Sequence, residues 1–205
     1  MVLEGNTSQI LDALNIDFEV LNIYPYGSHV YGNSTEKSDL DYIIVSKSSL
    51  LPDGSFKMNA ISSKDRTIQG ILYSRGGFKD ALNNYEMNAH ECISLPKELV
   101  IQEKLQFKVD RWDEKSLIKN VITKSSNSWF IADKQFSDGF IDRAKKGCYH
   151  ALRILMFGLQ LKENKKIIDF TVSNQLKMDI SMLSDEEFHM KQFRNTFKRL
   201  TEKLK

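Results

Sequence analysis

The stretch GSHVYGNSTEKSDLDYIIV, residues 27–45, decides how the chain is read. A Gly27-Ser28 pair is followed by a polar loop, and then by Asp39 and Asp41 at the head of an apolar run. Residues 32–38, GNSTEKS, have the composition of a turn or loop. DLDYIIVS has the β-branched and aromatic content of a strand. Positions two apart on a strand project from one face, so Asp39 and Asp41 point one way and Leu40 and Tyr42 the other. Two carboxylates that close repel each other unless a cation lies between them. Hard oxygen ligands on one face suit Mg²⁺, which takes one or two carboxylates and completes its shell with water and phosphate oxygens. A glycine lets the backbone approach an anion, and a serine adds a hydroxyl and an N–H, so Gly27-Ser28 can clasp a phosphate. Alone, an Asp-x-Asp at a strand start is most often a solvated strand end, and a Gly-Ser pair says less. Their order along the chain, with strands before and after, is the arrangement that phosphoryl or nucleotidyl transfer requires.

Outward from this stretch, NTSQILDAL offers a capping Asn6, Thr7 or Ser8 and apolar Ile10, Leu11 and Leu14 at helical spacing. FEVLNIYPYGS reads as a strand ending at Pro25. KSSLLPDGS is a turn-rich linker, DRTIQGILYS the next strand, and GGFKDALNNYEM a helix opened by Gly76 and Gly77. PKELVIQ is a short helical or extended connection. From about Ser116 long helical patterns dominate: SLIKNVITKSSNSWFIADKQF, FIDRAKKGCYHALRILMFGLQLKEN and SDEEFHMKQFRNTFKRLTEKLK. The pattern predicts a mixed α/β unit over 1–110 and a helical lobe over 111–205, in the α+β class.

The bulk composition narrows the function classes. A chain of 205 residues, 41% hydrophobic and 27% charged, can bury a core. A net charge of +2 does not demand a nucleic-acid partner, although lysines gather from about residue 134 onward. Cys92 and Cys148 sit in no Cys-x-x-Cys or zinc spacing and read as reduced intracellular thiols. The N-terminal MVLEGNTSQILDALNIDFEV is acidic, without the basic and apolar regions of a signal peptide. The longest apolar run, ALRILMFGLQL, suits a buried helix and is too short for a membrane span. These features predict a cytoplasmic protein with no membrane contact; they say nothing of oligomeric state.

With these residues in view, GSHVYGNSTEKSDLDYIIV resembles the signature of the DNA polymerase β-type nucleotidyltransferase superfamily. The Tyr-Gly between Gly-Ser and SDLD makes it most similar to the RNA-repair-associated (RlaP-like) predicted nucleotidyltransferases. YEMNAHECISLP resembles that group's second segment, with Glu91 at its glutamate. KKGCYHALRILMFGLQLKENKKIIDF resembles its C-terminal helix, with a His and an Arg ahead of an apolar run. The resemblance implies a polymerase-β-like palm, a small mixed sheet with flanking helices, followed by a helical C-terminal lobe that closes the nucleotide cleft. It implies an NTP substrate, ATP among the possible ones, with Mg²⁺ (or Mn²⁺) on Asp39 and Asp41. NMP would pass to an acceptor hydroxyl, an RNA end and perhaps that of a damaged tRNA. Transfer to a protein hydroxyl, as in toxin–antitoxin AMPylators, and nucleotide or RNA binding with little turnover are the other readings.

The superfamily generally carries a third carboxylate on a neighbouring strand. The corresponding position in DRTIQGILYS falls near Gln69 or Ile71, neither of which is a base. Asp65, of the same strand parity as Gln69 but about 13 Å from it along an extended chain, is a tentative catalytic residue if the register is shifted, and otherwise a loop residue before the strand; Glu91 is another candidate base. His150 and Arg153 lie three apart on one helix and share a face. With Gly27, Ser28 and Lys134 they complete the expected nucleotide-binding set, because the guanidinium fork of arginine matches phosphate oxygens. The basic face of HMKQFRNTFKRLTEKLK reads either as a solvated face or as a contact for a nucleic-acid acceptor.

Overall fold

In the computed structural model the two-aspartate stretch enters the second strand of a five-stranded sheet. The structure describes residues 6–205, apart from the side chains of residues 59 and 60; the part of the leader reading that rests on residues 1–5 lies outside them. The strands are β1 (Val20–Tyr26), β2 (Leu40–Ser46), β3 (Lys57–Ser62), β4 (Ile68–Tyr73) and β5 (Gln102–Glu103). They lie side by side in the order β3-β4-β2-β1-β5, with β2 and β4 parallel and every other pair antiparallel. The chain divides into two compact units, Met1–Trp112 and Asp113–Lys205, and the sheet belongs to the first.

Alternation of side chains gives that sheet two unlike faces. Tyr42 and Ile44 of β2, Leu72 of β4 and Ile23 of β1 join a buried cluster with Ile10 and Leu14 of helix α1 (Thr7–Ala13). Asn6 caps α1 by accepting from the Ser8 N–H. The opposite face carries Tyr24 and Tyr73, whose rings pack on Phe78 of α2 (Arg75–Asn83) at centroid distances of 5.9 and 5.6 Å. Ser74 starts α2 by accepting from the Gly77 N–H at 3.0 Å. After Tyr85, a non-glycine residue at φ 55°, α3 (Met87–Ser94) buries Ala89, His90, Glu91 and Cys92. Asp39 precedes β2 and Asp41 lies within it, on this second face at its strand-end edge.

The second unit contains, among the described residues, α4 (Glu114–Ser137), α5 (Ile141–Asn164), α6 (Asn174–Met182) and α7 (Met190–Leu204). α4 and α5 run antiparallel and approach closely because small residues meet at the seam. Gly158 faces Val121, Gly147 faces Ala132, and the buried Ser125 hydroxyl donates to the Ala151 carbonyl at 2.8 Å. α7 packs its apolar stripe on this pair, with Phe197 against Trp129 at 4.7 Å and Leu200 and Leu204 buried.

The elements depart from the sequence expectation at definable points. Pro25 lies within β1, which continues to Tyr26; β5 pairs only with Asn22 and Ile23, so the proline leaves no ladder donor missing on that edge. The segment before Ser63 forms β3, hairpin-paired with β4, and the strand expected to open at Asp65 opens at Ile68. Asp65 is therefore in the hairpin turn beside Arg66 at φ 60°, and strand parity does not apply to it. α3 hides from periodicity because four consecutive residues are buried. α6 hides because only Ile180 is. α7 begins at Met190, after residues that form turns rather than a longer helix.

Candidate active site

The ends of three strands build the site. Tyr26 of β1 pairs with Asp41 of β2, and Asp41 pairs with Gln69 of β4, so the three lie in one row across the sheet. Directly after Tyr26, residues Gly27–His29 make one 3-10 turn, which brings Ser28 alongside the row. Gly27 adopts φ +76°, and a Cβ there would overlap Asp41 Oδ2 and lie 3.0 Å from Asp41 Cγ. Glycine is thus required twice over, by its left-handed backbone and by the carboxylate pressed against it.

The loop between the turn and the aspartates is stitched down. The Asn33 N–H donates to the Ser28 carbonyl at 3.1 Å, and the Thr35 N–H donates to Ser38 Oγ at 2.8 Å. The His29 ring nitrogen Nε2 lies 3.4 Å from the Ser38 carbonyl oxygen. Tyr31, buried, donates its phenol to Glu91 Oε2 at 2.5 Å and so ties the loop to α3. Glu91 is only 3% exposed, and its carboxylate anchors this loop. Asp39 is exposed, whereas Asp41, Ser28 and Gln69 are half-buried.

Gln69 occupies the row position next to Asp41, and its amide Nε2 donates to Asp39 Oδ2 at 2.7 Å. A neutral amide thus stands where a third carboxylate was sought. Asp65 is bound up in its own turn: its Oδ1 accepts from Ser63 Oγ at 2.6 Å, from the Thr67 N–H at 3.1 Å and from Thr67 Oγ1 at 2.9 Å. These bonds, led by the Ser63 hydroxyl, hold its carboxyl below the usual range and make it a weak base. Among the described residues no group of three or more His, Cys, Asp or Glu side chains is placed to hold a metal. The donors present are the carboxylates of Asp39 and Asp41 beside the Gly27–His29 turn, a set that would suit one hard divalent cation with water and phosphate oxygens completing its shell.

In the second unit, Arg153 donates from Nη2 to His150 Nδ1 at 3.1 Å. Burial, then the charges of Arg153 and Lys146, push the His150 pKa down to about 4, so the ring is neutral and its Nδ1 lone pair accepts. The Arg153 guanidinium also lies 5.5 Å from the Tyr149 ring centre and 5.8 Å from that of Phe157. Lys177 of α6 stands 6.0 Å from the same Tyr149 ring, and burial, then Arg153 and Lys146, lower its pKa. The sequence reading missed Lys177, since nothing in α6 signals a helix that would bring it to α5. Lys134, in the last turn of α4, is exposed. The first unit thus brings the carboxylates and the turn together, whereas in the second only His150 and Arg153 are in contact.

Two cysteines remain buried and unreactive: burial raises the Cys148 thiol to about 12 and raises Cys92 as well. Among the described residues, no helix is long and apolar enough to cross a membrane.

Comparison with known proteins adds to this geometry. No curated protein matches the chain. Among solved structures, a nucleotidyltransferase-like protein from Exiguobacterium sibiricum 255-15 is similar at 15% identity and a TM-score of 0.36, over 97% of this chain and 73% of that one. Residues 7–136, from α1 through the sheet and into α4, match the family model described as the nucleotidyltransferase domain. That span is more than half of the chain, which belongs to the nucleotidyltransferase domain family.

Proposed function

We propose that the protein transfers NMP from an NTP to an acceptor hydroxyl, the acceptor being an RNA end, with Asp39 and Asp41 holding Mg²⁺ or Mn²⁺. The observation that carries this reading is the fit of Gly27 against Asp41, which holds the Gly27–His29 turn in contact with the carboxylate of the second aspartate. The N–H and hydroxyl of Ser28 bind a phosphate of the nucleotide. Lys134, His150 and Arg153 bind the polyphosphate, the guanidinium as a fork and the neutral imidazole as a hydrogen-bonding partner. When bound, the cation would draw negative charge from the phosphate oxygens. The acceptor oxygen forms its bond to the α-phosphorus as the bond to pyrophosphate breaks. The hydroxyl proton leaves to water, since Gln69 offers no base. The likeness of GSHVYGNSTEKSDLDYIIV and YEMNAHECISLP to the RNA-repair-associated group supports RNA, tRNA included, as the acceptor class.

Incubation with α-phosphate-labelled NTP, Mg²⁺ and total RNA tests this. Label is expected in RNA and absent with Asp39→Ala; label that persists in Asp39→Ala defeats the metal assignment, and label in protein instead of RNA favours the AMPylator reading. One observation supports a second reading, nucleotide binding with weak turnover. The amide on Asp39 replaces a group whose loss as a general base typically costs about 10²- to 10⁴-fold. Measurable NTP binding without label in either fraction would select that reading.

A further inference from the structure

We propose that the outward face of α7 binds the phosphate backbone of a single RNA strand; this rests on the reading of RNA as acceptor. The formal charge is unevenly divided between the units. Asp113–Lys205 carries eighteen Lys and Arg against twelve Asp and Glu, a net +6, and Met1–Trp112 carries eleven against fifteen, a net −4. The positive excess peaks on α7 and the residue that follows it, where Lys191, Arg194, Lys198, Arg199, Lys203 and Lys205 share the segment with a single acid, Glu202. All six are exposed, and among the described residues none of them forms an ion pair.

A merely solvated helix face would interleave acids at i,i+4, where each opposite pair adds a few tenths of a kcal/mol. Here the like charges Lys191–Arg194, Arg194–Lys198 and Arg199–Lys203 fall at helical-neighbour spacing, which costs a helix similar amounts. A polyanion laid along the face removes that repulsion. Lys191, Arg194, Lys198 and Lys205 form a ridge of about 21 Å at 1.5 Å per residue. That length is enough to meet several consecutive phosphates of a strand. At its N-terminal end the ridge opens into a groove of about 310 Å³ between Asp133, Phe136 and Ser137 of α4 and Lys191 and Arg194 of α7, a size at the low end of small-ligand pockets. The apolar side of α7 is already used: Phe197 packs on Trp129, and Met190, Leu200 and Leu204 are buried, so the charged side alone is left for a partner.

The test is fluorescence anisotropy of a labelled, unstructured oligoribonucleotide over a salt series. The full-length protein is compared with the triple variant Lys191→Gln, Arg194→Gln, Lys198→Gln. At about 0.7 of log-log slope per neutralised phosphate of a single strand, the variant's salt slope is expected to fall by about 2. Its affinity at low salt is expected to fall at least tenfold, with a thermal melt equal to or above that of the parent. An unchanged slope and affinity overturns the proposal. So does tighter binding to vesicles of anionic phospholipid than to the RNA, which would make the face a membrane contact. Asp39→Ala separates this surface from the chemistry: it is expected to bind the RNA like the parent. If transfer is absent from the parent while α7-dependent binding is present, the transfer reading fails and this one stands.

Discussion

A β-carbon on Gly27 would overlap Oδ2 of Asp41 and lie 3.1 Å from its Cβ, so the Gly27–His29 turn and strand β2 are in contact through a residue that has no side chain. Gly27→Ala therefore strikes the site twice. The left-handed φ of +76° costs about 1–2 kcal/mol for any other residue. The added methyl must also push the Asp41 carboxylate aside, and a misplacement of about 1 Å costs on the order of 10² in rate. Gly54→Ala is the control, since Gly54 adopts φ +78° with nothing within 4 Å of its virtual Cβ. The two variants are expected to lose similar backbone stability by thermal melt, while only Gly27→Ala loses labelled-phosphate transfer, by about 100-fold or more.

Gln69 sets a limit on that chemistry which a single substitution can lift. Its amide donates to Asp39 and sits across the parallel pair from Asp41. Gln69→Glu replaces the donor by a third carboxylate of nearly the same shape. Without a cation, three neighbouring carboxylates repel, and the variant's melting temperature is expected to fall below that of the parent. Added Mn²⁺ or Mg²⁺ should then raise it more than it raises the parent, because a ligand that binds the folded state stabilises it by RT ln(1 + [L]/Kd). Transfer is expected to rise by about tenfold or more, part of the gain a general base supplies. Equal divalent-induced shifts in parent and variant would show that the amide does not stand at the cation site.

The legibility of the sequence divides along physical lines. That Asp39, Asp41, Gly27 and Ser28 lie together at the strand ends was legible because the signal is local: a strand period, a glycine and a fixed order along the chain. The resemblance narrowed the third position to Gln69 or Ile71, and the parallel register, which only the fold supplies, sets Gln69 beside Asp41. Of the two readings of Asp65 the structure gives the loop before the strand, and the sequence left both open because the hairpin partner β3, with its interrupted register between Met58 and Ile61, lacks a clean alternation. The bond from Tyr31 to Glu91 joins residues 60 apart in sequence, and the approach of Lys177 to Tyr149 depends on how α6 folds back on α5. Such contacts are made by tertiary packing, and no periodicity announces them.

Acid should weaken the fold through two histidines held neutral. Burial lowers the pKa of His90, whose Nε2 lies 3.0 Å from the Leu82 carbonyl and whose ring stacks on Tyr85. His150 is lowered to about 4. Unfolded histidine titrates near 6.5, so between the two values the unfolded chain holds more protons and stability rises with pH. Stability is therefore expected to fall as pH drops below about 6.5, by about 1 kcal/mol from His150 alone at about pH 5.5. Urea unfolding at the two ends of that range measures it. His150→Asn, whose amide oxygen can still accept from Arg153, should flatten the slope, whereas an unchanged slope would show that His150 titrates normally in the fold. Asp65 and Asp110, whose carboxyls hydrogen bonds hold low, lose their contribution only in the separate window below about pH 4.

The seam between α4 and α5 offers a test that is independent of the chemistry. A Cβ on Gly158 would overlap Val121 Cγ1 and lie 3.1 Å from its Cγ2, because the two helices cross there at close range. Gly158→Ala gains helix propensity worth up to about 1 kcal/mol, yet overpacking costs about 1–3 kcal/mol, so net destabilisation is expected. Val121→Ala opens a cavity of its own and is expected to be destabilising alone. Together the two substitutions add one methyl at position 158 and remove the two Val121 methyls that it would meet, so each relieves the other. The double variant is expected to be more stable than the sum of the single effects by about 1 kcal/mol or more, a coupling read from a double-mutant cycle in urea. Strict additivity would place Val121 away from Gly158 and would contradict the helix pairing on which the second unit is built.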